Sequence, residues 1–155
     1  MNKPSDRQNV AVPADPESGA VQNYLNILQS VIARMAGNSS NCKTWCVTLI
    51  SALLVVIVDK GNVDYVWIVL IPVLLFGFLD AYYLGQERAF RRTYSDFVDR
   101  MHVGSASVSE VYKVAPPKGF SVVQATFASL RSFAIYPFYG TLIVMTVLAY
   151  FLIST

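Results

Sequence analysis

Few side chains in this sequence are of a type that does chemistry, and the most conspicuous of them is Asp80. It lies near the end of a long apolar run, Trp67–Gly85, reading WIVLIPVLLFGFLDAYYLG. An ionisable group in such a run is a functional candidate by default, because membrane proteins use such groups on ion and substrate pathways. A plainer reading is also open: a solvated residue at a helix end, or a partner of Arg88 or Arg131. Just beyond Asp80 stand Glu87, Arg88, Arg91 and Arg92. These arginines suit an anionic ligand, or a basic juxtamembrane face meeting anionic lipid.

Other reactive types are sparse. His102 is the single histidine. No Cys/Asp/Glu cluster accompanies it, so no metal site is expected. Cys42 and Cys46 are one helical turn apart, which suits neither a disulfide nor a metal set and points to a reducing compartment. There is no Gly-x-Ser-x-Gly, no phosphate loop and no Cys/His pair at a workable spacing. The reading is therefore of no catalytic residue, no cofactor and no metal, and of a protein that is not an enzyme.

Small residues make the next pattern. Gly77, Ala81 and Gly85 recur at intervals of four, a small-xxx-small ridge that lets another helix approach closely. Thr44, Thr48 and Ala52 form a similar stripe upstream. The two stripes either pack on each other within a hairpin or serve as the seam of a homo-oligomer.

The elements that must carry these residues follow from composition. Of 155 residues, 54% are apolar and 14% charged, against ~25% charged in soluble domains. A soluble core of this size cannot hide that much apolar surface. The net charge of +2 is too small to argue for nucleic acid. The pattern predicts an all-α membrane protein with three transmembrane helices, at about 42–58, 63–85 and 133–153. The first is short against the ~20 residues that normally cross a bilayer, with Lys43 expected to snorkel to the headgroups. The second holds Pro72 in mid-helix, which membrane helices tolerate. Pro137 falls near the start of the third. The turn Asp59–Asn62 joins the first two into a tight hairpin.

Lys3, Arg7, Arg34 and Lys43 precede the first span, Lys60 alone sits in the hairpin turn, and Arg88, Arg91, Arg92, Arg100, Lys113, Lys118 and Arg131 fill the segment between spans two and three. The positive-inside rule then puts the N-terminus and segment 86–132 in the cytoplasm and the C-terminus outside a bacterial inner membrane.

Residues 1–19 read as a disordered cytoplasmic tail, and 20–155 as one helical membrane domain. Val21, Tyr24, Leu25, Leu28, Val31, Ile32 and Met35 recur at helical spacing, predicting an N-terminal amphipathic helix over 20–36. Gly37 is expected to end it, and Ser39 or Ser40 to cap the helix that becomes span one. Span two is expected to continue past Asp80 to Met101 as a cytoplasmic extension, about 55 Å long in all. Its stripe of Tyr83, Phe90, Tyr94, Phe97 and Met101 needs a cover, either the N-terminal helix or another subunit. Glu87–Arg91 and Asp96–Arg100 are acid-before-base pairs that support a helix. Residues 104–119 read as loop, with one short strand at most over Val111–Val114. Residues 120–132 return to helix with Val123, Phe127 and Leu130 on one face.

Two stretches together carry a resemblance. Arg34-Met35-Ala36-x-Asn38-Ser39 with Lys43-x-Trp45, and Leu79-Asp80-Ala81-Tyr82-Tyr83-Leu84-x-Gln86-Glu87-Arg88-x-Phe90-Arg91, resemble a widespread family of small multi-span bacterial inner-membrane proteins. The likeness covers roughly residues 21–153, and Pro137-Phe138-Tyr139 fits it too. It implies a membrane-embedded helical fold and brings no catalytic set.

The function expected is therefore non-enzymatic: a homo-oligomeric membrane-perturbing effector, such as those of anti-phage defence, in contact with membrane lipid. The alternative is a membrane anchor or accessory subunit that recruits a soluble cytoplasmic partner. A small transporter or channel stands behind both, because the spans hold few polar groups besides Asp80.

Overall fold

The computed structural model describes residues 12–61 and 63–154. Among these the fold is all-helical: α1 (Gly19–Lys60), α2 (Leu70–His102), α3 (Val122–Leu130) and α4 (Tyr136–Ser154), with a 3-10 segment Val63–Val69 leading into α2. α1, and the continuous helical stretch Asp64–His102 that joins the 3-10 segment to α2, are both long and apolar enough to cross a membrane.

α1 is one continuous helix of 42 residues, about 63 Å long. The break expected at Gly37 is absent. An isolated glycine costs a helix about 1 kcal/mol relative to alanine, and Gly37 keeps a negative φ. The serines beyond it do not cap a new helix. Ser39 is buried against α2, and the Ser40 carbonyl accepts the Thr44 hydroxyl at 3.4 Å. The helix stops instead at Gly61, whose φ of 63° is left-handed and whose N–H reaches the carbonyls of Ile57 and Val58.

The chain then reverses, and α2 packs along α1. Pro72 is the third residue of α2 rather than a mid-helix residue. The first turn of an α-helix has no use for its N–H, which is why α2 begins there. α2 runs on to His102, so the extension past Asp80 is present.

Two apolar clusters line this hairpin. One gathers Cys46, Ile50 and Ile57 of α1 with Val66, Val69, Val73 and Ala81, closed by Ile135 and Tyr139. The other gathers Val21, Tyr24 and Leu28 with Phe97, Ala106 and Val111, with Phe90, Tyr94 and Met101 at its edge. Tyr24 meets Phe97 edge-on at 5.0 Å, and its hydroxyl donates to the Lys113 carbonyl at 3.2 Å. Burial first, and Glu110 second, raise the pKa of that hydroxyl, with Arg100 opposing. The first part of α1 is thus the cover that the α2 stripe requires.

α4 runs back along α2. It touches Phe76 near its start, through the Tyr139 hydroxyl at 3.2 Å, and Trp67 near its end, through Tyr150 at 5.3 Å between ring centroids.

One further expectation is corrected, and two segments that the sequence leaves open are placed. Residues 12–18 are not a free tail: Ala14 N–H donates to the Ala106 carbonyl and Val108 N–H to the Val12 carbonyl, a small backbone pairing that buries Ala14. The rest of the expected disordered segment, 1–11, lies outside the described residues. Val111–Val114 forms no strand; the regular structure there is one 3-10 turn, Val108–Glu110. α3 turns Thr126 and Ser129 inward and leaves Val123 and Phe127 exposed by 64% and 59%.

Because a Cβ on Gly37 meets nothing within 4 Å, Gly37→Ala is expected to stabilise the protein by up to about 1 kcal/mol. Melting in detergent should rise by a few degrees; a fall would mean that the helix needs a break there.

Candidate functional site

The residues at the junction of the two apolar clusters hold the protein's buried charge. Asp80 is fully buried. Its Oδ2 faces the Lys43 Nζ of α1 at 2.5 Å, an ionic approach rather than an aligned hydrogen bond. Its Oδ1 accepts the Ser39 hydroxyl. Lys43 Nζ also lies 3.5 Å from that same hydroxyl oxygen. Ser39 and Lys43 are one turn apart on α1, so a single face presents both to the carboxylate.

The partner of Asp80 is therefore neither Arg88 nor Arg131. Lys43 does not snorkel outward; its side chain is 26% exposed and turned to Asp80. An unpaired carboxylate in such a place costs several kcal/mol, whereas snorkelling gains a lysine little over a buried partner.

The small residues have been divided differently from either reading. The Gly77–Ala81–Gly85 ridge is covered by the chain's own α3 and α4. A Cβ on Gly77 would stand 3.5 Å from the Tyr139 ring, and one on Gly85 would stand 3.1 Å from the Ala125 carbonyl carbon. Thr44, Thr48 and Ala52 are exposed and do not meet that ridge. The face of α1 that packs on α2 carries Cys42, Cys46, Ile50 and Ile57 instead, with the Cys46 thiol 3.8 Å from the Pro72 carbonyl.

The three arginines separate as well. Arg91 pairs with Glu87 at 2.6 Å on the outside of α2. Arg88 and Arg92 line a cleft of about 300 Å³ between α2 and α3, with Gly119, Ser121 and Gln124 opposite. Arg88 donates to the Ser132 hydroxyl at 2.6 Å. Among the described residues no acidic side chain lines this cleft. Further along α2, Arg100 bridges Asp96 at 3.1 Å and Glu110 at 2.5 Å. The hydrogen bond to Glu110 is the main reason its guanidinium pKa is raised.

Both cysteines are free and buried. Among the described residues no three His, Cys, Asp or Glu side chains come together as metal ligands. His102 stands exposed at the end of α2.

The Ser39–Lys43–Asp80 cluster escaped sequence reasoning, yet it left a signal. Lys43 lies 18 residues before Gly61, and Asp80 lies 18 after Asn62, the register of a simple helical hairpin about that turn. Gln29 and Tyr94, each 32 residues out, are joined the same way by a 3.1 Å hydrogen bond.

No protein-family model, no curated protein and no solved structure matches this chain.

Two outcomes follow. Lys43→Met strands the Asp80 carboxylate and should cost about 3–5 kcal/mol. Adding Asp80→Asn should recover a large part of that loss in detergent melts; a double variant no better than Lys43→Met would mean that the pair is not the source. Gly85→Leu should cost about 1–3 kcal/mol through overpacking against backbone, with faster proteolysis in 112–121 as α3 loosens.

Proposed function

We propose that the chain is a multi-pass inner-membrane protein that catalyses no reaction, assembles with copies of itself in the bilayer and perturbs the membrane when triggered, as a defence effector does. In this reading the spans are the second half of α1, the 3-10 segment with the first half of α2, and α4. The first part of α1 and residues 86–132 stand in the cytoplasm.

The observation that carries the reading is exposure. Only 22% of the apolar window of α1 and 44% of that of α2 is buried within the chain. A soluble protein would hide most of such a window, and lipid covers it instead. The 17-residue apolar run of α4, Tyr136–Leu152, is about 26 Å long and packs along the same stretch of the hairpin, from Phe76 to Trp67. Tyr65 and Trp67 are exposed at the hairpin end, as interfacial aromatics are. The cationic half lies at the opposite end, the cytoplasmic one by the positive-inside rule.

Self-association draws support from α1. Its Thr44–Thr48–Ala52 stripe is exposed and of a kind that lets two helices approach closely. The anchor reading has less behind it, because the α2 stripe that a partner would grip is buried against α1.

Thr48→Cys, in a Cys42→Ala/Cys46→Ala background, should crosslink to a dimer in membranes with a short bis-thiol reagent, and Leu49→Cys should do so less. Induction should depolarise cells carrying a potential-sensitive dye. Release of the protein by alkaline carbonate would overturn the membrane reading. Unchanged potential and growth under the native trigger would overturn the effector reading.

A further inference from the structure

Arg88 and Arg92 raise a question that the proposed assembly does not answer. They are one turn apart on α2 and share a cleft that no acid among the described residues lines. Glu87, the nearest acid in sequence, is engaged by Arg91. Arg88 meets one neutral hydroxyl, that of Ser132. Two guanidiniums lining one cleft without a carboxylate suit a group with several anionic oxygens. The cleft is about 300 Å³, large enough for a phosphate with its ester substituents, and Ser121 and Gln124 add polar groups on the α3 side.

A second cavity lies on the same side of α2. It is an apolar groove of about 440 Å³ lined by Leu74, Gly77, Tyr139, Gly140 and Ile143, with Leu130 at its α3 end. Leu130 follows Ser129, which lines the basic cleft. Gly77 and Gly140 open the groove by lacking side chains. Eleven residues separate Gly77 from Arg88, about 17 Å along the helix. The hydrocarbon part of one leaflet is about 15 Å deep. A phosphate at Arg88 therefore puts this groove beside the lower part of an acyl chain from the same lipid.

We propose that the cleft and the groove together form one site for an anionic phospholipid, with the phosphate between Arg88, Arg92 and Gln124 and an acyl chain along Gly77 and Gly140. This rests on the membrane-spanning reading above. The charge of the cleft, the apolar groove and the spacing between them select one occupant, because free phosphate leaves the groove empty and an uncharged lipid leaves the arginines unpaired. The bound lipid would brace α3 and α4 against α2 at the membrane surface.

The full-length protein is placed in phosphatidylcholine nanodiscs with increasing phosphatidylglycerol, its melting followed, and bound lipid counted by native mass spectrometry. The expected result is a saturable rise in melting temperature with one phosphatidylglycerol retained per chain. Gln124→Glu should weaken retention at least tenfold. Ser121 caps α3, and a glutamate three residues on completes a capping box, so this variant keeps the fold while adding a negative charge to the cleft. Arg88→Gln/Arg92→Gln should do the same. Gly140→Leu should weaken retention from the other end, since a Cβ there meets nothing within 4 Å and the side chain fills the groove. Lys118→Gln/Arg131→Gln loses equal charge outside the cleft and should retain lipid as the parent does.

Equal loss in that control would mean diffuse attraction and overturn the site. Stabilisation by inorganic phosphate or glycerol phosphate to the same extent as by phosphatidylglycerol would make the cleft a free-phosphate site and overturn the lipid. Protein that inserts but shows no preference sinks this inference alone, whereas protein that inserts into no bilayer sinks the membrane reading with it.

Discussion

The arrangement of this chain depends on one buried carboxylate. Asp80 sits where the two apolar clusters of the hairpin meet, and it is tolerable there only because α1 brings it an ammonium and a hydroxyl. That requirement sets the register of α1 against α2. A slip of one turn in either direction would replace one of these two partners by Met35 or Val47, leaving the buried carboxylate only partly satisfied. Apolar packing alone discriminates poorly between such registers, because one aliphatic contact resembles the next. The best-attested use of a buried polar pair is this kind of specification.

Once the register is set, α2 serves as the spine for everything that follows. Its charged half is clad by the first part of α1 through Tyr24 and Phe97. Its apolar half presents Gly77 and Gly85 to α4 and α3. Those glycines permit close approach, so α3 docks with backbone and small side chains while its bulkier residues stay outside. The continuity of α1 matters for the same reason. A break at Gly37 would uncouple the cover over Phe97 from the helix that carries Ser39 and Lys43. As one rod, α1 ties both clusters to the same register.

Much of this architecture was legible in the residues. The apolar runs, the extension of α2 and the need to cover its stripe all follow from spacing that the structure keeps. The Asp80 partnership was missed because Lys43 was read locally. A lysine two residues from Trp45 at the edge of an apolar run resembles a headgroup anchor, and only the hairpin register reveals the acid opposite. Which face of α3 packs is not legible in its apolar spacing. Periodicity arguments assume that apolar residues point to a protein core, and Val123 and Phe127 do not. Thr126 and Ser129 mark the packed face instead. The pairing of Val12 and Ala14 with 106–108 is made by backbone alone, which leaves no side-chain pattern to read.

Beyond Asp80 the charges are sorted rather than scattered. The outward side of α2 closes its own ion pairs, Glu87 with Arg91 and Asp96 with Arg100, and the loop adds Glu110 to the second. These exposed pairs contribute little stability individually. Their effect is to consume the acids. With Asp80 held by Lys43 and Glu87 held by Arg91, no carboxylate remains within a turn of Arg88 on α2. The cationic character of the α2–α3 cleft thus follows from pairings made elsewhere on the helix. Neutralising Glu87 would free Arg91 on the outer face without adding charge to the cleft, whereas placing an acid on α3 at Gln124 would alter the cleft alone.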